Sequence, residues 1–336
     1  MTLEQRIKAF VALGTELKAL TPEQLTELAA KAAGVNVWFD EPNVINAFNG
    51  IIALLDEQHL RDWLFPYQFN KVSPKKVGVV MAGNVPMVGF HDMMSVLLAG
   101  HTLLAKLSSD DPHLIKYLAQ RLVEIEPRFA DKIQFVDLLK EADAFIATGS
   151  DNTARYFEYY FSKKPHIIRK NRTSVAILTG HETKEELEAL GHDVFQYYGL
   201  GCRNVAKVFV PEGYTFDKFY EAIEANNIMI EHHKYRNNYD YNKSILLVNR
   251  VPHFDNGFLL ISESSQLVSP ISVLHYETFK DQQDLKQKLD AVQEKLQVVV
   301  SSHGWYENSI PFGSAQCPMV WDYADGVDTM AFLLNL

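Results

Sequence analysis

One pattern restricts this fold more than any other: short apolar runs that end in glycine or a turn, each followed by a segment of helical period. "KVGVVMAG" (76–83), "HTLLAKLS" (101–108), "KIQFVD" (132–137) and "ADAFIATG" (142–149) read as strands. Between and after them, "VPMVGFHDMMSVLLAG", "DDPHLIKYLAQRLVEI" and "SDNTARYFEYYF" read as helices. Continuous apolar runs, rather than alternating ones, suit strands covered on both faces, and strands alternating with helices imply a parallel, doubly wound α/β sheet. The pattern restarts near 171 with "SVAILTG", "KEELEALGHDVFQYYGL", "NVAKVFVP" and "FDKFYEAIEAN". It continues through "SILLVN", "ISVLHYE", the charged helix "DQQDLKQKLDAVQEKL" and "QVVVSS". The basic, poorly periodic "KKPHIIRKNR" marks the join, so 336 residues divide into two α/β domains.

Ahead of both, the first 65 residues read as helices. Ile7, Phe10, Val11 and Leu17 recur at roughly helical spacing. Thr21, Pro22 and Gln24 form a capping signature for a second helix, and "NVINAFNGIIALLDEQHL" suits a third. Two roles are open to this region: packing on the first α/β domain, or building a homodimer interface. The stretch 231–244, "EHHKYRNNYDYNKS", reads as a polar loop, with a place beside a substrate channel as the alternative.

Composition excludes several classes. A net charge of −10 opposes a nucleic-acid binder, which presents a basic face. The charged, amphipathic start does not read as a signal peptide, and no apolar run approaches a membrane span. Two cysteines 115 positions apart match a reducing compartment, so a cytoplasmic chain is expected. Twelve histidines without ligand spacing give no metal site.

Chemistry concentrates at strand ends. Cys202 lies between Gly-Leu-Gly and Arg203–Asn204 at the mouth of a strand, where a thiolate nucleophile and a cysteine merely tolerated in a turn are both admissible. Cys317, in "PFGSAQCPMVW", reads as packing. Asn84, in a Gly-Asn-x-Pro turn, suits either an amide directed into the crevice at the sheet edge or a cap on the next helix. Lys106 closes an apolar strand, where its ammonium must reach solvent or a ligand. Gly149–Ser150 opens a helix whose first N–H groups suit a phosphate.

Taken in order, these pieces resemble the aldehyde dehydrogenase superfamily. Asn84-Val85-Pro86 is similar to its strand-end Asn-x-Pro, "AGHTLLAKLSSD" to its ribose-binding lysine segment, and "IATGS" to its "FTGS". "GLGCRNVAKVFVPE" resembles the nucleophile turn, "QLVSPISVL" the "E-x-F-G-P-V" segment, and "PFGS" (311–314) the family's "PFGG". The resemblance implies a Rossmann-like cofactor domain (66–170), an α/β catalytic thiol domain (171–310) and a C-terminal segment (311–336); it leaves out residues 1–65, which are expected as helices packed on the cofactor domain. It makes Cys202 the nucleophile and Asn84 an oxyanion donor. Lys106, Ser108, Ser109, Gly149, Ser150, Gln266 and Phe312 become cofactor-binding residues.

Three departures narrow the chemistry. "HIIRKNRTSVAIL" lacks the glutamate that activates water in acid-forming members, which speaks against an aldehyde oxidiser. Gln266 replaces the glutamate that holds the nicotinamide ribose. Ser109 replaces the glutamate that excludes a 2′-phosphate, which admits NADPH alongside NADH. "GNVPMVGFHDMMSVLLAG" followed by "KLSSDDP" most resembles the LuxC-type fatty-acyl reductases. That implies an acyl-CoA or other activated acyl donor reduced to an aldehyde. The alternatives are an acyl-phosphate reductase, with "HIIRKNR" supplying a basic phosphate site, and a non-catalytic acyl-holding partner of an acyl-activating enzyme.

Overall fold

In the computed structural model, which describes residues 1–70, 72–149 and 151–336, the chain forms two compact units. The first comprises Met1–Asn171 with Met319–Leu336, and the second Arg172–Pro318. The segment 311–336, expected as one piece, is therefore divided. Its last helix, Thr329–Leu334, buries Met330 and Leu333 in the first unit, where Thr329 accepts from buried Arg169.

The first unit opens with four helices: α1 (Leu3–Lys18), α2 (Pro22–Ala33), α3 (Glu41–Leu54) and α4 (Glu57–Leu64). The Thr21–Gln24 box forms as its sequence implies, with Thr21 Oγ1 accepting from the Gln24 amide and Gln24 Oε1 accepting from the Thr21 amide at 2.8 Å. The expected third helix is two, because Asp56 accepts from the His59 amide and starts α4. Helix α1 places Ile7, Phe10, Leu13 and Leu17 on one buried face. Phe10 meets Phe90 and Phe129 edge-on at 6.4 and 5.9 Å, a favoured aromatic geometry.

Next come β1 (Lys76–Val80), α5 (Phe90–Ala99), β2 (Thr102–Lys106), α6 (Leu114–Ile125), β3 (Ile133–Phe135), β4 (Ala144–Thr148), α7 (Asp151–Phe161) and β5 (His166–Arg169). The five strands are parallel in the order β3-β2-β1-β4-β5, with Val80 opposite both Lys106 and Ala147. That order reverses direction between β1 and β4, and ligands of such sheets bind in the crevice outside the carboxyl ends at this switch point. Helix α5 starts later than its apolar pattern suggests, because residues 84–89 form turns.

The second unit contains β6 (Thr173–Ile177), α8 (Lys184–Phe195), β7 (Val205–Pro211), α9 (Asp217–Ala222), α10 (His233–Val248), β8 (His253–Asp255), β9 (Leu260–Glu263), β10 (Val273–Phe279), α11 (Gln282–Asp290), β11 (Leu296–Ser301) and β12 (Ile310–Pro311). Its seven-stranded sheet runs β12-β11-β6-β7-β10-β9-β8, with β8 antiparallel to β9. Lys207, buried mid-strand in β7, ion-pairs with Glu277 of β10 at 2.5 Å.

The stretch 231–244 is not a loop, and "SILLVN" is not a strand: residues 233–248 form α10, between the caps His232 and Asn249, and Glu231 ends a preceding 3-10 helix. Tyr235, Tyr239 and Asn242 turn inward at i, i+4 and i+7, and Tyr235 donates to the Phe258 carbonyl at 3.0 Å. The buried stripe of this helix is made of tyrosines and an asparagine, so its period hides in a polar composition.

Candidate functional site

At the carboxyl edge of the first sheet, the turns after β1, β2 and β4 carry the residues expected to serve one site. Asn84 is exposed in the turn after β1. It does not cap the next helix, because α5 has Gly89 in the cap position with no side-chain cap hydrogen bond. The turn is held from elsewhere. Asp111, buried in the loop after β2, accepts from the Met87 amide at 2.7 Å, and Asn36 donates to the Gly83 carbonyl at 3.4 Å. Met87 takes a left-handed φ of 57°, and that amide bond helps hold it there. Burial pushes the Asp111 carboxyl upward against its two backbone donors.

Gly83 is sterically required. A Cβ on it would lie 2.5 Å from Ser108 Oγ and 2.7 Å from Ser108 Cβ, so the first turn and the serine loop meet backbone to side chain. Lys106 is exposed at the end of β2, beside Val80 in register. Ser108 Oγ accepts from the Asp110 amide, and Ser109 is exposed. Gly149 follows β4, and an added Cβ would meet Thr153 and Phe157 at 3.1 Å. Ser150 lies outside the described residues. These residues fit a dinucleotide: an exposed cation, hydroxyls and a glycine at the start of α7, all at the sheet's switch point.

In the second unit, Cys202 is exposed in a turn leading into β7, and neither cysteine is in a disulfide. The chain reaches it through Tyr197, Tyr198 and Gly199, with φ of 52°, 57° and 76°. Left-handed φ at a non-glycine residue costs about 1–3 kcal/mol, so two buried tyrosines so placed mark a turn imposed by its surroundings.

Asn204 imposes much of it. Its buried carboxamide donates to the carbonyls of Asp193, Val194 and Gln196 at 3.1, 3.4 and 2.8 Å, and its Oδ1 accepts from the Gly201 amide at 2.8 Å. One side chain thus satisfies the carbonyl end of α8 and closes the cysteine turn. Ser174 Oγ donates to the Cys202 carbonyl at 3.0 Å, which anchors the turn to β6.

Asp193, fully buried on the last turns of α8, ties in the "PFGS" segment. Its carboxylate accepts from the Gly313 amide at 2.7 Å and the Ala315 amide at 3.0 Å. Arg203 donates to the Ala315 carbonyl at 3.3 Å. The structure therefore brings the Cys202 turn and the 311–315 segment together within this unit, and Phe312 is buried there. Gln266 lies on the return loop from β9 to β10, where its amide donates to Ser264 and its carbonyl contacts His275. Cys317, expected as packing, is exposed: the segment after Ala315 runs along the surface.

Burial pushes the Asp193 carboxyl up to about 6 from an ordinary 3.8, in spite of its two amide donors. A folded-state pKa above the unfolded one contributes stability below pH 3.8 that is lost as pH rises through about 6. At about 1.4 kcal/mol per tenfold change in proton affinity, that interval corresponds to about 3 kcal/mol. Urea unfolding of the native protein and Asp193→Asn from pH 4 to 7 should show the native protein losing about 2 kcal/mol relative to the variant. A difference constant across the window would refute this electrostatic account.

Sequence inspection missed Asp193, Asn204, Ser174 and Asp111. Only the Asn204 position, two residues after the cysteine, carried any local signal. Three cations of the basic segment 166–172, considered above as a phosphate site, have partners within the protein. Arg169 is buried against Asp92 at 2.7 Å, Lys170 pairs with Glu158 at 3.0 Å, and Arg172 donates to the Leu296 carbonyl.

Solved structures share this fold. Aldehyde dehydrogenase 21 from Physcomitrella patens, in complex with the reaction product succinate, is 13% identical with a TM-score of 0.64, covering 90% of this chain and 73% of that one. The NAD+ complex of an aldehyde dehydrogenase from Bacillus cereus is 15% identical with a TM-score of 0.63, covering 90% and 72%. An E. coli NADP dependent enzyme is 14% identical with a TM-score of 0.66, covering 90% and 73%. Among curated proteins, a long-chain acyl-protein thioester reductase from Aliivibrio fischeri is 22% identical over 229 residues. That match takes in 62% of this chain but only 45% of the relative's length. The family model described as acyl-CoA reductase (LuxC) matches residues 41–237, more than half of the chain and both the Asn84 and Cys202 turns. This chain belongs to the LuxC acyl-CoA reductase family, built on the aldehyde dehydrogenase fold.

Proposed function

We propose that this chain reduces an acyl thioester, an acyl-CoA or a related activated acyl donor, to the aldehyde through a thioester on Cys202, with NADPH as hydride source. The observation that carries this reading is the built turn around Cys202: an exposed thiol on a backbone held by Asn204 and Ser174, inside the segment matched by the family model. As thiolate, Cys202 Sγ attacks the acyl carbonyl carbon. The tetrahedral oxyanion re-forms the carbonyl, expels the donor thiolate and leaves the acyl group on sulfur. Asn84 donates a hydrogen bond to that oxyanion. When bound, the reduced nicotinamide supplies the hydride to the acyl carbon. The thiohemiacetal oxyanion on Cys202 then re-forms the carbonyl and expels Cys202 Sγ as thiolate, which releases the aldehyde. Lys106, Ser108, Ser109 and the Gly149 turn hold the dinucleotide, and Gln266 and Phe312 belong to its nicotinamide end. Ser109, in place of a carboxylate, accommodates a 2′-phosphate.

Intact-protein mass spectrometry after mixing with acyl-CoAs of several lengths tests this. The expected result is one acyl adduct on Cys202, discharged to aldehyde by NADPH at lower concentration than by NADH. An adduct that neither nucleotide discharges would leave the acyl-holding partner. No adduct from any acyl-CoA would overturn the thioester donor.

A further inference from the structure

The first unit has a second concave site, at the edge of its sheet opposite to Asn84, Lys106 and Gly149. A cavity of about 460 Å³ opens where the chain enters β1 and β2, beside Pro74, Gly100 and His101. Cavities of this size hold small organic ligands. Its accessible apolar surface comes from Leu3, Phe69 and Val72, which are half-buried, and from exposed Pro74, over buried Leu97, Ala99 and Phe129.

The walls are cationic. Arg6 and Lys132 line the cavity, and no aspartate or glutamate is among its described lining residues. Lys75 stands behind it and donates its amide to His101 Nδ1 at 3.1 Å, while His101 Nε2 pairs with the Leu333 carbonyl at 2.8 Å. With Nδ1 an acceptor and Nε2 a donor, His101 is neutral. Burial lowers its pKa, and the charges of Arg6, Lys75 and Lys132 lower it further. Among the described residues, none of these three cations has an acidic partner, although the chain as a whole carries a net charge of −10. Arg6 Nη1 donates to the Met1 carbonyl at 3.2 Å, but its Nε is buried without a hydrogen-bond partner. Two cations without an acidic partner, lining a cavity whose described residues include no carboxylate, are the arrangement a bound anion would complete.

We propose that this cavity binds an organic anion, its carboxylate or phosphate head held by Arg6 and Lys132 and its apolar body laid on Leu3, Phe69 and Val72. The site is separate from the dinucleotide crevice, and the inference does not depend on the proposed reaction. Isothermal titration of the whole protein with decanoate, adenosine 5′-monophosphate and inorganic phosphate tests it at low and high salt. At least one of the three should bind, weaken with salt, and lose about tenfold or more in affinity in both Arg6→Gln and Lys132→Gln, with NADPH binding unchanged. Binding of decanoate alone identifies a carboxylate with an apolar tail. Binding of the monophosphate and phosphate without decanoate identifies a phosphate head. If Arg6→Gln does not fold, Lys132→Gln carries the test. No saturable binding of any probe, or binding unchanged by the substitutions, overturns the proposal.

Discussion

Replacing Cys202 by serine should abolish both the acyl adduct and aldehyde formation, with turnover falling by at least about 10³-fold. The expectation rests on chemistry rather than on packing. A serine hydroxyl without an adjacent base is a far poorer nucleophile than a thiolate, and it is nearly the same size. The turn itself should persist, because its bonds come from the Gly201 amide, the Cys202 carbonyl and the Asn204 carboxamide, none of which uses the sulfur. At an exposed position, stability should change by no more than about 0.5 kcal/mol. Cys317 supplies an internal control, since it is also exposed and in the same unit. Cys317→Ser should keep full activity. An adduct that survives Cys202→Ser, or that maps to Cys317, would refute the assignment.

Asn84→Ala should lower kcat by roughly 10²–10³, about 3–4 kcal/mol of transition-state stabilisation, while acyl-donor binding changes little. That split separates an oxyanion donor from a structural residue, because the charge it serves exists only in the transition state. Fold stability should be nearly unaffected. The Asn84 side chain is exposed and is not the cap of α5, and the turn is held by Asp111, Asn36 and the contact of Gly83 with Ser108. Loss of stability with kcat intact would show that the amide holds the turn and does not act in the reaction.

Strand and helix placement was legible wherever the decisive residues lie close together in the chain. The Thr21–Gln24 box spans three residues, and β1, β2 and β4 announce themselves as unbroken apolar runs. The order of strand-end motifs was enough to identify the superfamily, and the roles proposed for Asn84, Lys106, Gly149 and Cys202 follow from that resemblance. Local pattern misled where tertiary contacts override it. Helix α10 buries tyrosines instead of aliphatics, and α5 yields its first turn to a backbone held by Asp111.

What the sequence by itself determined was the parallel α/β architecture and the positions at which chemistry is possible, because hydrophobic period, caps and turn residues act over a few positions. Only the tertiary structure decided what holds those positions. Asp193 reaches Gly313 and Ala315 across 120 and 122 residues, and Asp111 reaches Met87 across 24. Arg6, His101 and Lys132 converge on one cavity from three distant segments. Such contacts follow no period, because a buried polar atom is satisfied by whichever group the folded backbone brings within hydrogen-bond reach.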